Sequence, residues 1–170
     1  MNSKETLNIK NALIRAFQDH KKNNFKDAEI IYQEILKKNP QHFETIFYLG
    51  TLYSQLEKYD LAEPLFIQAI SLNPNFEPTY QNLGIMYNQL EEYEKAKNCY
   101  EKLIKLSPKN IKNYYNLGLI CQELGDFEKA INCYEKIIQT NSNDIALDYN
   151  LGRIFKLFKL DNILKNNHSN

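Results

Sequence analysis

Residues 49–74 read LGTLYSQLEKYDLAEPLFIQAISLNP, and the marks in this stretch return along the chain. Gly50, Gly84, Gly118 and Gly152 stand 34 residues apart, each after a leucine (Leu49, Leu83, Leu117, Leu151). Ala28, Ala62, Ala96 and Ala130 keep the same step. So do Tyr32, Phe66, Tyr100 and Tyr134, and also Phe25, Tyr59, Tyr93 and Phe127. Pro40, Pro74 and Pro108 close three successive units. Independent columns with one period mark a tandem array in which each unit is one supersecondary element.

The pattern within a unit predicts two helices. From Phe43 to Gln55, the apolar residues Phe43, Ile46, Phe47, Leu49 and Leu52 recur at three- and four-residue steps, one helical face. A second such run spans Leu61 to Leu72. Proline at 40 and 74 forces the preceding residue out of the helical region and ends the second helix. Pro64 is expected in the first turn of its helix, where the missing N–H costs nothing. Pro78 suits a helix start. The column glycines fall mid-helix, where glycine costs about 1 kcal/mol against alanine. The expected compensation is close approach of the paired helix at Ala62, Ala96 or Ala130, with the following aromatic filling the gap toward the next unit.

The columns resemble the tetratricopeptide repeat family. Leu49, Gly50, Tyr53, Tyr59, Ala62, Phe66, Ala69 and Pro74 carry its signature, and the resemblance covers residues 9 to about 157. It implies an all-α, right-handed superhelical solenoid of antiparallel helix pairs. The units run 9–42, 43–76, 77–110 and 111–144, with a partial fifth over 145–167 and frayed ends at 1–8 and 168–170. The first unit reads as a cap, because Arg15 and Ala16 replace Leu-Gly and Asp19 replaces the aromatic. The fifth begins with Tyr149, Asn150, Leu151, Gly152 and Phe155 and then departs from the pattern.

Composition narrows the function. The 170 residues hold 21 Lys+Arg and 21 Asp+Glu, and 43% are hydrophobic. That suffices for a core and gives no basic excess for nucleic acid or a membrane surface. No run approaches a membrane span, and Met1–Glu5 lacks the apolar core of a secretory signal, so a cytoplasmic protein is expected. No catalytic constellation, metal site or cofactor site is expected. His20, His42 and His168 lie far apart without a paired acid. Cys99 and Cys133 share a column too widely spaced for a disulfide, and Cys121 takes the place of a core aromatic. Gly125 reads as an inter-helix turn, so no glycine is left for a phosphate loop.

The resemblance implies that the first helix of each pair lines a concave groove. Immediately before Leu-Gly come Tyr48, Asn82, Asn116 and Asn150. An amide offers both a donor and an acceptor. Three in one column resemble the asparagine ladder of the O-linked N-acetylglucosamine transferase repeats, which implies capture of an extended peptide backbone. Adjacent columns would add specificity: Phe47, Gln81, Tyr115 and Tyr149 on one side; Thr51, Ile85, Leu119 and Arg153 on the other. Lys10, Glu44, Lys112, Asn88 and Gln122 stand near the groove entrances. The carboxylate clamp of the chaperone-tail adaptors, also of this family, needs Lys and Asn on the first groove helix, Asn on the second, and Lys and Arg on the third. No register of this chain matches, so tight binding of a C-terminal Glu-Glu-Val-Asp peptide is not expected.

The expected function is a non-enzymatic scaffold for a protein or peptide partner. An alternative is self-association through an apolar C-terminal end, where Ile154, Phe155, Leu157, Phe158, Leu160, Ile163 and Leu164 crowd together. A third is a stand-alone partner that recruits substrates for a glycosyltransferase- or sulfotransferase-type enzyme.

Overall fold

A computed structural model describes residues 3–140, and side chains from 7 to 139. Eight helices follow one another among the described residues: α1 (Ser3–Lys21), α2 (Phe25–Lys38), α3 (Phe43–Gln55), α4 (Tyr59–Leu72), α5 (Glu77–Gln89), α6 (Tyr93–Leu106), α7 (Ile111–Glu123) and α8 (Phe127–Thr140). No strand occurs among them. The fold is an all-α helical-repeat solenoid. The chain divides into two compact units, Met1–Leu83 and Gly84–Asn170, with α5 divided at Leu83. In the first, α1 packs on α2 and α3 on α4; in the second, α7 packs on α6 and α8. No described helix is long and apolar enough to cross a membrane.

The period fixes the turns as well as the helices. Asn23, Glu57, Glu91 and Gly125, again 34 residues apart, all take positive φ (62°, 57°, 57° and 72°). Each follows the end of a first helix. The Lys58 amide donates to the Tyr53 carbonyl at 2.9 Å, and the Glu57 amide to Ser54 at 3.1 Å. The same pair of bonds recurs at Asp126 to Cys121 (2.9 Å) and Gly125 to Gln122 (3.0 Å). This is the left-handed helix stop that satisfies the last carbonyls. Only the fourth repeat uses glycine there.

The second helices stop before proline as expected. Asn39, Asn73 and Ser107 have φ near −140° (−139°, −141° and −135°) with ψ of 86°, 87° and 75°. Pro78 is the second residue of α5. Pro64 departs from the expectation. It is the sixth residue of α4, beyond the first turn. Its missing N–H deprives the Asp60 carbonyl of its usual i+4 helical donor, but both residues are exposed, so that carbonyl is open to solvent.

The glycine column also needs correcting. A Cβ on Gly50 would stand 3.1 Å from the Phe66 ring; on Gly84, 3.0 Å from Tyr100; on Gly118, 2.6 Å from Tyr134. The glycines therefore make room for the aromatic ring of their own repeat, not for the alanine. The expected reach toward the next unit is seen in the first repeat, where the Tyr32 ring stacks on Tyr48 at 6.3 Å. Ala16 occupies the corresponding place in α1 and is fully buried. Phe66 and Tyr134 are buried completely, which is worth about 2–3 kcal/mol for such a side chain.

Candidate functional site

The N-terminal compact unit contains Phe47, Thr51, Gln81 and Asn82. Phe47 and Thr51 lie one turn apart on α3. The Thr51 hydroxyl donates to the Phe47 carbonyl at 2.9 Å, the usual bond of a mid-helix threonine to the preceding turn. The same oxygen accepts from Asn82 Nδ2 at 2.9 Å. One amide N–H of Asn82 is thereby fixed. Its second N–H and its carbonyl oxygen make no hydrogen bond among the described residues, and Asn82 is half-buried. The amide is oriented and keeps a donor and an acceptor.

Phe47 is placed differently from a free groove residue. Its ring meets Phe76 edge-on at 5.0 Å and lies 5.4 Å from Tyr48. Tyr48, at the head of the asparagine column, packs on Phe17 at 4.9 Å. These aromatics form a wall. Gln81 is half-buried.

The C-terminal compact unit contains Ile85, Asn88, Lys112, Tyr115, Asn116, Leu119 and Gln122. Ile85 is 51% exposed and Tyr115 38% exposed, high values for large apolar side chains. Asn88 and Lys112 are exposed, and Asn116 and Leu119 half-buried. The Asn116 amide makes no hydrogen bond among the described residues. Its counterpart of Thr51 is Ile85, which has no hydroxyl to hold it. Gln122 has a packing task, because its Oε1 accepts from the Tyr134 hydroxyl at 2.8 Å. That bond holds the ring against Gly118. His20 occupies the same column as Gln122, and its Nδ1 lies 3.4 Å from the Tyr32 hydroxyl. Tyr149, Asn150 and Arg153 lie outside the described residues, as does the apolar run 154–164.

Sequence reasoning missed a polar cluster in the N-terminal compact unit. The Tyr53 hydroxyl donates to Glu29 at 2.8 Å and accepts from Gln33 at 3.1 Å. His20 Nε2 and Gln55 Oε1 are 2.8 Å apart. These contacts join helices of neighbouring repeats, and only the shared 34-residue register hints at them. His42 caps α3, accepting from the Thr45 amide. Thr45, Thr79 and Asn113 form a buried polar column. The Thr45 hydroxyl lies 2.9 Å from His42 Nδ1. The Thr79 hydroxyl and Asn113 Nδ2 have no hydrogen-bond partner among the described residues.

Electrostatics give no sign of an activated nucleophile. Burial pushes the Cys99 and Cys133 thiols up to about 12 and Cys121 up to about 11, the reverse of what reactivity needs. Among the described residues, no group of three His, Cys, Asp or Glu is placed to hold a metal ion.

Comparison with known proteins places this geometry in context. Tetratricopeptide repeat models match residues 31–63, 65–98 and 111–144, and a related repeat model matches 84–125. A crystal structure of MamA protein is 25% identical, with a TM-score of 0.80 over 92% of this chain and 86% of that chain. A tetratricopeptide repeat protein from Parabacteroides merdae is 21% identical, with a TM-score of 0.80 over 89% and 60%. MamA from residue 41 to its end, from Desulfovibrio magneticus, is 20% identical, with a TM-score of 0.76 over 95% and 87%. The last two likenesses concern the fold alone. No curated protein matches the chain.

Proposed function

The chain belongs to the tetratricopeptide repeat family and is a protein-interaction scaffold, and from that premise we propose that its first helices hold an extended peptide segment without catalysing any reaction on it. The observation that carries this reading is the state of Asn82. Its amide is anchored on Thr51 through one N–H and keeps one donor and one acceptor for a ligand. A peptide group presents the complementary pair, an N–H and a carbonyl. Asn116 repeats the amide without the anchor, and Asn150 continues the column in sequence. Ile85 and Tyr115, in the columns adjacent to Asn116, are exposed and would supply apolar contact there. Binding would therefore read backbone through the asparagines and apolar side chains through their neighbours.

The test is affinity capture from native lysate, comparing wild type with the triple variant Asn82→Ala, Asn116→Ala, Asn150→Ala, after their circular dichroism spectra have been matched. Loss of specific partners from the variant supports the reading. Capture of the same partners by both forms rejects the asparagine column as the site.

A further inference from the structure

Upstream of Asn82 the same column changes chemistry. Tyr48 and Asn82 each stand two residues before a column glycine, and in α1 that register falls on Ile14, two residues before Ala16. All three lie in the compact unit Met1–Leu83. Their helices are joined into one strip. Ile14 and Phe17 are one turn apart on α1 and share a face. The Phe17 ring meets Tyr48 at 4.9 Å. Tyr48 and Thr51 are one turn apart on α3, and Thr51 accepts from Asn82 at 2.9 Å.

Ile14 is 48% exposed, although it is a large apolar side chain well inside a helix. Phe17 is already engaged, by Tyr48 and by the Lys21 ammonium at 5.0 Å, so the apolar surface on offer is that of Ile14. Tyr48 is half-buried, and its hydroxyl makes no hydrogen bond among the described residues. Asn82 keeps one donor and one acceptor. No member of the column Ile14, Tyr48, Asn82 is charged, so it has nothing to hold a phosphate or a carboxylate. An apolar group, a hydroxyl and an amide in succession suit an extended peptide, whose side chain covers the first while its backbone meets the other two. We infer that Ile14 and Tyr48 form a side-chain subsite for the peptide that Asn82 holds, selecting a segment with a branched aliphatic or aromatic residue about five or six positions from the peptide group at Asn82. The inference rests on the reading of Asn82 given above. Packed helices stand about 8–10 Å apart, so two repeats span about 16–20 Å. An extended chain covers that distance in about five or six residues, at about 3.3 Å each. The Tyr48 hydroxyl would meet a backbone carbonyl midway.

The test selects short peptides from a random display library on the intact wild-type chain and titrates the enriched sequence by fluorescein anisotropy. The enriched peptides should share one apolar position. Replacing that residue with Ala should weaken binding to the wild type by roughly fivefold, the worth of covering half an isoleucine side chain. It should have little further effect on Ile14→Ser. Serine matches isoleucine in helix propensity and Ile14 is exposed, so this variant should keep the wild-type melting temperature. Tyr48→Phe keeps the ring and should also bind about fivefold more weakly, for the loss of one hydrogen bond. No shared apolar position, equal losses from the Ala peptide on wild type and Ile14→Ser, or full affinity of Tyr48→Phe would each overturn the subsite. Asn82→Ala separates the two claims. Weakened binding there beside an unaffected Ile14→Ser would keep the backbone reading and remove the subsite. The reverse pattern would remove the backbone reading and the predicted spacing with it, and a library that yields no binder would overturn both.

Discussion

Asn82 donates from Nδ2 to the Thr51 hydroxyl at 2.9 Å, and Thr51 in turn donates to the Phe47 carbonyl at 2.9 Å. Two residues 31 positions apart in sequence thus form one relay that begins in the helix backbone and ends at an amide available to a ligand. Asn116 has no such support, because Ile85 stands in the place of Thr51. The two amides are chemically alike and differ in preorganisation.

Replacing Thr51 with valine keeps the shape and removes the hydroxyl. Stability should fall by about 1 kcal/mol, the net worth of one such hydrogen bond. The Asn82 side-chain amide should shift and broaden in a nitrogen-edited NMR spectrum, while that of Asn116 stays in place. An unchanged Asn82 signal would show that the relay does not orient it.

Glycine-to-alanine changes should rank by the space each ring leaves. At Gly118 the added carbon would stand 2.6 Å from a Tyr134 ring whose hydroxyl is tied to Gln122. Overpacking should outweigh the helix-propensity gain and cost about 1–3 kcal/mol in urea unfolding. At Gly50 the distance is 3.1 Å and Phe66 has no such tether, so Gly50→Ala should be milder. Equal effects at the two sites would contradict the packing described here.

The helix stops offer a gain. Glu57 and Glu91 hold φ of 57° where the fourth repeat has Gly125. A left-handed conformation costs a side-chain-bearing residue about 1–2 kcal/mol. Part of that is offset by the greater freedom glycine loses on folding. Glu57→Gly and Glu91→Gly should each stabilise by about 0.5–1 kcal/mol in thermal melts. Gly125→Glu should destabilise.

Much of this was legible in the sequence, and particular residues show where it stopped. The columns at Gly50, Ala62 and Pro74 gave helix limits, because period and breaker chemistry are local properties. Asn39 and Asn73 bend before proline for the same reason. The pattern predicts Pro64 in a first turn, whereas α4 already begins at Tyr59, and exposure of the Asp60 carbonyl to solvent is not something a pattern displays. The glycines face the rings of Phe66, Tyr100 and Tyr134 rather than the alanines that the spacing suggests. Their spacing predicts close approach, but whether Ala62 or Phe66 fills the space depends on the rotation of one helix against another. The candidate columns were legible as columns. That Gln122 is committed to Tyr134, Phe47 to Phe76, and Asn82 to Thr51 follows from packing between helices, which no single segment encodes.

Alkaline pH should destabilise the fold. Unfolded thiols ionise near 9.0, while burial holds Cys99 and Cys133 protonated to about 12 and Cys121 to about 11. Between those values the unfolded chain sheds protons that the folded chain keeps. Stability from these groups is therefore intact below pH 9.0 and declines as pH rises through the folded values. Tyr100, raised to about 12 by burial, adds to the decline. Urea midpoints measured from pH 7 to 11 should stay level and then drop. A level midpoint throughout would mean that the thiols are not buried as described.

If asparagine amides hold a peptide backbone, binding must respond to changes in that backbone. Calorimetry tests this with a peptide selected on the wild-type chain by display, then resynthesised with single backbone N-methyl groups. Methylation at one or two positions should weaken binding to the wild type by about tenfold, the worth of one well-made hydrogen bond in a dry site. The same methylation should have little further effect on Asn82→Ala. Equal sensitivity of wild type and Asn82→Ala to every methyl group would contradict it, and recognition would then rest on side chains alone.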